Sequence, residues 1–188
     1  MKQHTLFYGS SYDRGLQHLL GMWDKIKEKY PDAELHICYG WNTFMDFYKD
    51  NPERLAWKRR IDEMMNKPGI IHHGRLSKEE LQKVRQQCGI WAYPTHFTEI
   101  NCMTALECQK DGCVPVTMNL AALSETVKSG IKVEGDIYDD EVKEEYLKRL
   151  FEMMENKGMW EEEQREGKEY VKRFMWEKIA DKWEKNFV

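Results

Sequence analysis

Up to Asp136, short apolar runs alternate with longer amphipathic stretches, and beyond it only amphipathic stretches remain. His4-Thr5-Leu6-Phe7-Tyr8 predicts a strand closed by Gly9-Ser10-Ser11. From about Arg14 to Tyr30, Leu16, Leu19, Leu20, Trp23 and Ile26 fall on one stripe, which predicts a helix stopped by Pro31-Asp32. Ala33 to Tyr39 reads as a second strand ending at Gly40, and Gly69 to Gly74 as a third. A helix from about Glu53 to Met65 lies between them, whereas the turn-prone stretch 41–52 gives no clear element. Ser77 and Glu80 form a capping box that starts the next helix. Ile90-Trp91-Ala92-Tyr93 is a fourth strand, stopped by Pro94, and a helix carrying Glu107 follows from near Asn101. Val114 to Thr117 reads as a fifth strand, with Pro115 favouring its first position or an edge. A short helix around Leu120 to Lys128 leads to a last strand, Gly130 to Val133. Three helices close the chain: Glu141 to Glu155, Trp160 to Arg173 and Trp176 to Phe187.

Strands separated by helices imply right-handed crossovers and a parallel sheet. The expected fold class is α/β: one Rossmann-like domain over residues 1–188, about six parallel strands with helices on both faces, and extra C-terminal helices. Ligands of such sheets sit beyond the carboxyl ends of the strands, where the turns at Gly9, Gly40, Gly74 and Pro94 all fall.

Composition narrows the picture. A length of 188 residues supports one domain with a real core. The net charge of −4 supplies no basic field for nucleic acid. No run approaches the roughly 18 apolar residues of a membrane span, and no signal peptide is read at the start. Cys38, Cys88, Cys102, Cys108 and Cys113 form no CxxC pair, which points to free thiols in a reducing cytoplasm rather than to zinc or disulfides.

Candidate chemistry gathers at the strand ends. Glu99 and Glu107 stand eight positions apart across a loop-to-helix transition. Eight helical residues advance roughly 800°, returning to within about 80° of the starting face. With a helix start near Asn101, Glu99 would sit in the loop and Glu107 about two turns in. An anion at that helix start would meet free N–H groups and the positive dipole end, leaving the carboxylates to bind hydroxyls. In Gly9 to Leu16, small residues let backbone approach a phosphate and Arg14 offers a forked cation, although an ordinary strand–helix turn would look the same. The segment is neither GxGxxG nor a P-loop. Arg75, after Gly74, is placed to meet a base or phosphate. His72 and His73 read as strand residues, one inward and one outward, and Trp41 as a packing residue at least as much as a ligand contact.

The order Pro94, Thr95, Glu99, Glu107, Gly112, Pro115, Val116 resembles the donor-binding half of retaining GT-B glycosyltransferases with a Glu-x7-Glu signature. Asn101-Cys102 replace the usual glycine region. Ser10 stands where the family has one phosphate-clamping cation and Arg14 replaces the other, which leaves Arg14 to carry the phosphate charge largely alone. The final stretch from Trp176 to Trp183 looks like the family's closing helix. The resemblance implies a nucleoside-diphosphate sugar (UDP-, GDP- or ADP-linked) as donor, with no cofactor and no metal. Glu107 would bind the ribose hydroxyls and Glu99 those of the transferred sugar. Ser10, Ser11, Arg14 and the N–H groups of Ile100, Asn101, Cys102 and Met103 would hold the diphosphate, and Gly74, Arg75 and Leu76 the base. Complete enzymes of this kind have two such domains, so the acceptor-binding half is expected in cis or trans and the 188-residue chain is expected to transfer no sugar alone. A non-catalytic nucleotide-sugar-binding module and a protein-interaction module are the other readings. The first would bind donor without activity, and the second would bind no nucleotide.

Overall fold

The computed structural model describes residues 2–187, Phe187 by its backbone alone. Met1 and Val188, the ends of the expected domain, lie outside the described residues. In chain order the elements are β1 (Thr5–Tyr8), α1 (Leu16–Lys29), β2 (Glu34–Cys38), α2 (Asn42–Tyr48), α3 (Pro52–Met65), β3 (Ile70–Gly74), α4 (Lys78–Gln87) and β4 (Ile90–Tyr93). They continue with α5 (Met103–Asp111), β5 (Val114–Met118), α6 (Leu123–Thr126), β6 (Ile131–Val133), α7 (Asp140–Glu155), α8 (Lys157–Val171) and α9 (Trp176–Phe187). The six strands form one parallel sheet in the order β3-β2-β1-β4-β5-β6. Helices α1, α3 and α7 cover one face and α4, α5 and α8 the other; for α1, α3, α4 and α5, which connect strands, right-handed crossovers in a sheet that reverses direction at β1 require this.

The apolar runs became strands because both faces are covered: Leu6, Phe7, Tyr8, Ile90, Trp91, Ala92 and Tyr93 are all fully buried. Burying each large apolar side chain contributes roughly 1.5–3 kcal/mol. Several buried aromatic donors are matched, with Trp23 Nε1 donating to the Pro68 carbonyl (3.0 Å), Tyr146 Oη to that of Val116 (2.7 Å) and Trp160 Nε1 to that of Gly89 (2.9 Å), whereas the buried Trp91 Nε1 finds no acceptor among the described residues. The capping box is formed: Ser77 Oγ accepts from the Glu80 N–H at 3.2 Å, and Glu80 Oε2 from that of Ser77 at 2.9 Å. The five cysteines are free and buried.

Four expectations are corrected. Arg14 ends a 3-10 turn, Tyr12–Arg14, and α1 begins only at Leu16, because Gly15 breaks the helical path with φ +123°. The stretch 42–48 is a helix, held by Phe44 and Tyr48, whose rings lie 4.9 Å apart, and by Phe44 against Trp57 at 5.5 Å. Helix α5 starts at Met103 with Cys102 as its N-cap, so Glu107 lies about one turn in rather than two. Pro115 is the second residue of the interior strand β5; β6 pairs only from Val116 onward, so no ladder bond on that side is lost.

Candidate functional site

Strands β1 and β4 are neighbours, yet their chains leave toward opposite faces, which opens a crevice at their carboxyl ends. The loops that wall it meet at Gly15. A Cβ there would stand 2.4 Å from the Pro94 carbonyl oxygen, so only glycine permits both this φ and this approach. Arg14, one residue earlier, is thereby brought against the segment that follows β4.

Glu99 belongs to that segment and is only 8% exposed, so its carboxylate needs partners. Tyr93 Oη donates to Glu99 Oε1 at 2.8 Å. Ser10 Oγ lies 3.2 Å from the same phenol; since the Tyr93 proton is committed to Glu99, the Ser10 hydroxyl is the donor in that contact. Arg14 Nη1 stands 3.4 and 3.5 Å from the two Glu99 oxygens, and its guanidinium carbon lies 3.9 Å above the Phe97 ring. The Arg14–Glu99 pair is long and part-exposed, which leaves the guanidinium free to turn toward an incoming anion. Ser11 is committed elsewhere, its Oγ donating to Asp13 Oδ1 at 2.7 Å.

Beyond Glu99 the chain runs into α5. The Glu99 carbonyl accepts from Ala122 N–H at 3.1 Å, anchoring the turn. Among the described residues, the N–H groups of Ile100, Asn101 and Cys102 find no acceptor, and Cys102 gives α5 no side-chain cap. Burial pushes the Cys102 thiol up to about 11, so it stays neutral beside these donors. Ile100 is 96% exposed, and Met103 and Asn101 are also exposed, so the helix start opens to solvent.

A cavity of about 250 Å3 lies next to it, lined by Gly9, Cys38, Tyr39, Arg75, Leu76, Leu81 and Thr104. It joins the ends of β1, β2 and β3 to the first turn of α5. Gly74 shapes its rim, with φ +67° and its carbonyl accepting from Tyr39 N–H at 2.9 Å. Glu107 follows Thr104 by three residues and so continues the same helix face. Its carboxylate is about half-exposed, with Oε2 3.0 Å from Nη1 of the buried Arg85. Arg85 Nε in turn donates to Asp111 Oδ2 at 2.6 Å, and Gln82 donates to the other Asp111 oxygen at 3.1 Å. A wider hollow of about 750 Å3, between Lys128, the end of α8 and α9, holds none of this chemistry.

The structure thus brings Ser10, Arg14 and Glu99 into one cluster, with the α5 start (Ile100 to Met103) adjoining it. Arg75, Leu76 and Glu107 line or adjoin the neighbouring cavity, and Ser11 turns away. His72 and His73 are structural: Tyr12 Oη lies 2.6 Å from His72 Nε2, and His73 Nε2 lies 2.9 Å from His36 Nδ1. Among the described residues, no group of three His, Cys, Asp or Glu side chains is placed to hold a metal ion. Trp41 packs edge-on against Tyr12 at 4.6 Å, as a core residue does.

Sequence reading missed Tyr93, Phe97, Arg85 and Asp111. For two of them a signal existed. Tyr93 puts a hydroxyl at the end of a wholly apolar strand, where it must find a partner. Arg85 sits beside Val84 and four residues after Leu81, on the apolar stripe of α4.

A family model described as glycosyl transferases group 1 matches residues 2–174. No curated protein matches the chain. Among solved structures, the GtfA/B complex is similar with a TM-score of 0.76 at 12% identity, covering 98% of this chain and 35% of that one. The pneumococcal O-GlcNAc transferase GtfA in complex with UDP and GlcNAc has a TM-score of 0.74 at 14% identity, covering 98% and 35%. Sucrose-phosphate synthase from Thermosynechococcus elongatus has a TM-score of 0.71 at 18% identity, covering 96% and 43%. At these identities the likeness is one of fold, and the chain spans about a third of the length of the first of these neighbours.

Proposed function

Because the chain belongs to the glycosyl transferases group 1 family, we propose that it is the donor-binding half of a GT-B glycosyltransferase, taking a nucleoside-diphosphate sugar. The observation that carries this reading is the continuity of the site. One edge of the sheet offers, in order, a small cavity at Arg75 and Leu76, the carboxylate of Glu107, the open start of α5, and the Arg14–Glu99 pair. A nucleotide sugar has the same order of parts: base, ribose diol, diphosphate, sugar hydroxyls.

In this reading the base enters the cavity and Glu107 accepts from the ribose hydroxyls. The diphosphate lies at the N–H groups of Ile100 to Met103. Arg14 turns from Glu99 to the diphosphate, and Glu99, held by Tyr93, accepts from hydroxyls of the sugar. Departure of the diphosphate develops negative charge, which the guanidinium, once turned, and the helix start stabilise. These positive groups support a metal-independent departure of the diphosphate, and a retaining transfer is proposed on the Glu99–Glu107 spacing that the family resemblance rests on. The acceptor binds between this half and a second, acceptor-binding half supplied in cis or trans, and the 188-residue chain alone binds donor but transfers no sugar.

Calorimetry with UDP, GDP and ADP sugars on the unaltered chain, Glu107→Ala and Arg14→Ala tests this. The unaltered chain is expected to bind one of the three nucleotides, with about tenfold or greater loss in each variant. Equal binding by all three proteins would remove these residues from the site.

A further inference from the structure

Arg85 is buried, yet it lies between two carboxylates of α5. With Asp111 it forms a pair whose side chains are 7% and 2% exposed, and both Asp111 oxygens are occupied, one by Arg85 and one by Gln82. Burial opposes the Arg85 charge, but the Asp111 hydrogen bond and the surrounding negative charges outweigh it and hold the guanidinium firmly protonated. The two charges cancel. Glu107 is then the surplus charge of the cluster, half-exposed, with only its Oε2 against Arg85.

The contact with Glu107 is unfinished. Nη1 stands 3.0 Å from Oε2, yet it is a buried donor without an aligned acceptor. A small turn of the Glu107 carboxylate would complete the bond, and a ligand gripping Oε1 would fix that turn. The neighbouring cavity places a ligand on that side. Leu81 and Thr104 line it, and Arg85 and Glu107 follow them by four and three residues on the same two helices.

We propose that Arg85 is a positioning residue: it sets the Glu107 carboxylate so that the oxygen facing the cavity accepts from the ribose diol of a bound nucleotide, while Asp111 neutralises its charge. This rests on the function proposed above. It assigns the preference for ribose over deoxyribose to a side chain that does not itself touch the ligand. Asp111, whose burial would otherwise be unexplained, is there to let an arginine sit under Glu107 without making the site cationic.

Removing Arg85 alone would leave Asp111 as an unpaired buried charge, so the test replaces the pair with Arg85→Leu/Asp111→Leu, a change that burial tolerates. Arg85→Lys, which keeps the charge but not the fork, is the companion variant. Affinities for UDP, GDP and ADP are compared with those for their 2′-deoxy counterparts by calorimetry, with melting temperatures recorded in parallel. The unaltered chain is expected to prefer the ribonucleotide it binds by about tenfold. In the double variant that preference falls to about twofold or less while the deoxynucleotide binds as before; in Arg85→Lys it is intermediate. A preference retained in the double variant, or a parallel loss of both affinities, overturns the role of Arg85. Failure of the unaltered chain to bind any of the three diphosphates overturns the proposed function, and this inference with it.

Discussion

Arg14 and Glu99, 85 residues apart in sequence, face each other at 3.4 Å across the point where β1 and β4 part. The guanidinium is held loosely, between a carboxylate it only approaches and the Phe97 ring 3.9 Å beneath it. A cation held this way can exchange partners, because stacking persists while the N–H fork turns.

Arg14→Ala is therefore expected to weaken binding of a nucleoside diphosphate by about ten- to a hundredfold, the range for charge-assisted hydrogen bonds. Binding of the corresponding nucleoside should change little, since the proposed function puts its base and ribose at the neighbouring cavity and Glu107. Calorimetry with UDP and uridine separates the two. A parallel loss for both would mean that Arg14 supports the loop rather than the phosphates.

Tyr93 gives a prediction about stability. Its hydroxyl donates to the buried Glu99 carboxylate and meets Ser10. Tyr93→Phe keeps the ring stacked on Trp91 at 5.0 Å and removes only the hydroxyl, as donor to Glu99 and as acceptor from Ser10. The expected cost is about 2 kcal/mol, the range for a hydrogen bond to a charged group. A urea titration reads it, and an unchanged midpoint would show that water takes the place of the phenol.

Much of this was legible locally. The parallel α/β sheet followed from apolar runs spaced by amphipathic stretches, and the Ser77–Glu80 box from four adjacent residues. Glu99, Glu107 and Arg14 stood out because each lies at a strand end or helix start. What stayed hidden depends on pairing across the fold. Arg85 and Asp111 are 26 residues apart and meet only because α4 and α5 pack together. Helix α2 was hidden for a related reason: its aromatic face is specified by Trp57 on the next helix. The start of α5 was misplaced by two residues because no Ser, Thr or Asp marks it and Cys102 takes the cap position.

The histidines set a pH dependence. Burial and the neighbouring His96 lower His18 to about 4, and burial lowers His36, His72, His73 and His96 as well. An unfolded histidine takes up its proton near pH 6.5. Between pH 6.5 and about 4 the unfolded chain thus binds protons that the folded chain refuses, and stability falls as pH drops through that window. Above it this contribution is fully present. His18 alone gives a slope of up to about 1.4 kcal/mol per pH unit. Denaturation midpoints at pH 7.5 and 5.0 should differ accordingly, and His18→Gln should flatten the difference. Equal midpoints in the unaltered chain would contradict the burial of neutral histidines.

Gly15 tests whether the crevice depends on backbone contact. With φ +123° and the Pro94 carbonyl oxygen 2.4 Å from the place of a Cβ, an alanine meets both a strained conformation and a backbone collision that no side-chain rotation relieves. Either Gly15 leaves its φ, or the loop after β4 moves away. Both outcomes separate Arg14 from Glu99 while leaving the sheet intact. Gly15→Ala is expected to destabilise the fold by about 2 kcal/mol, and to weaken nucleoside diphosphate binding as far as Arg14→Ala does. Gly21→Ala is the control, because its Cβ would meet nothing within 4 Å and it lies on an exposed face of α1. That change should stabilise slightly, by about 0.5–1 kcal/mol. If Gly15→Ala bound diphosphate as the unaltered chain does, the close approach of the two loops would not be what places Arg14.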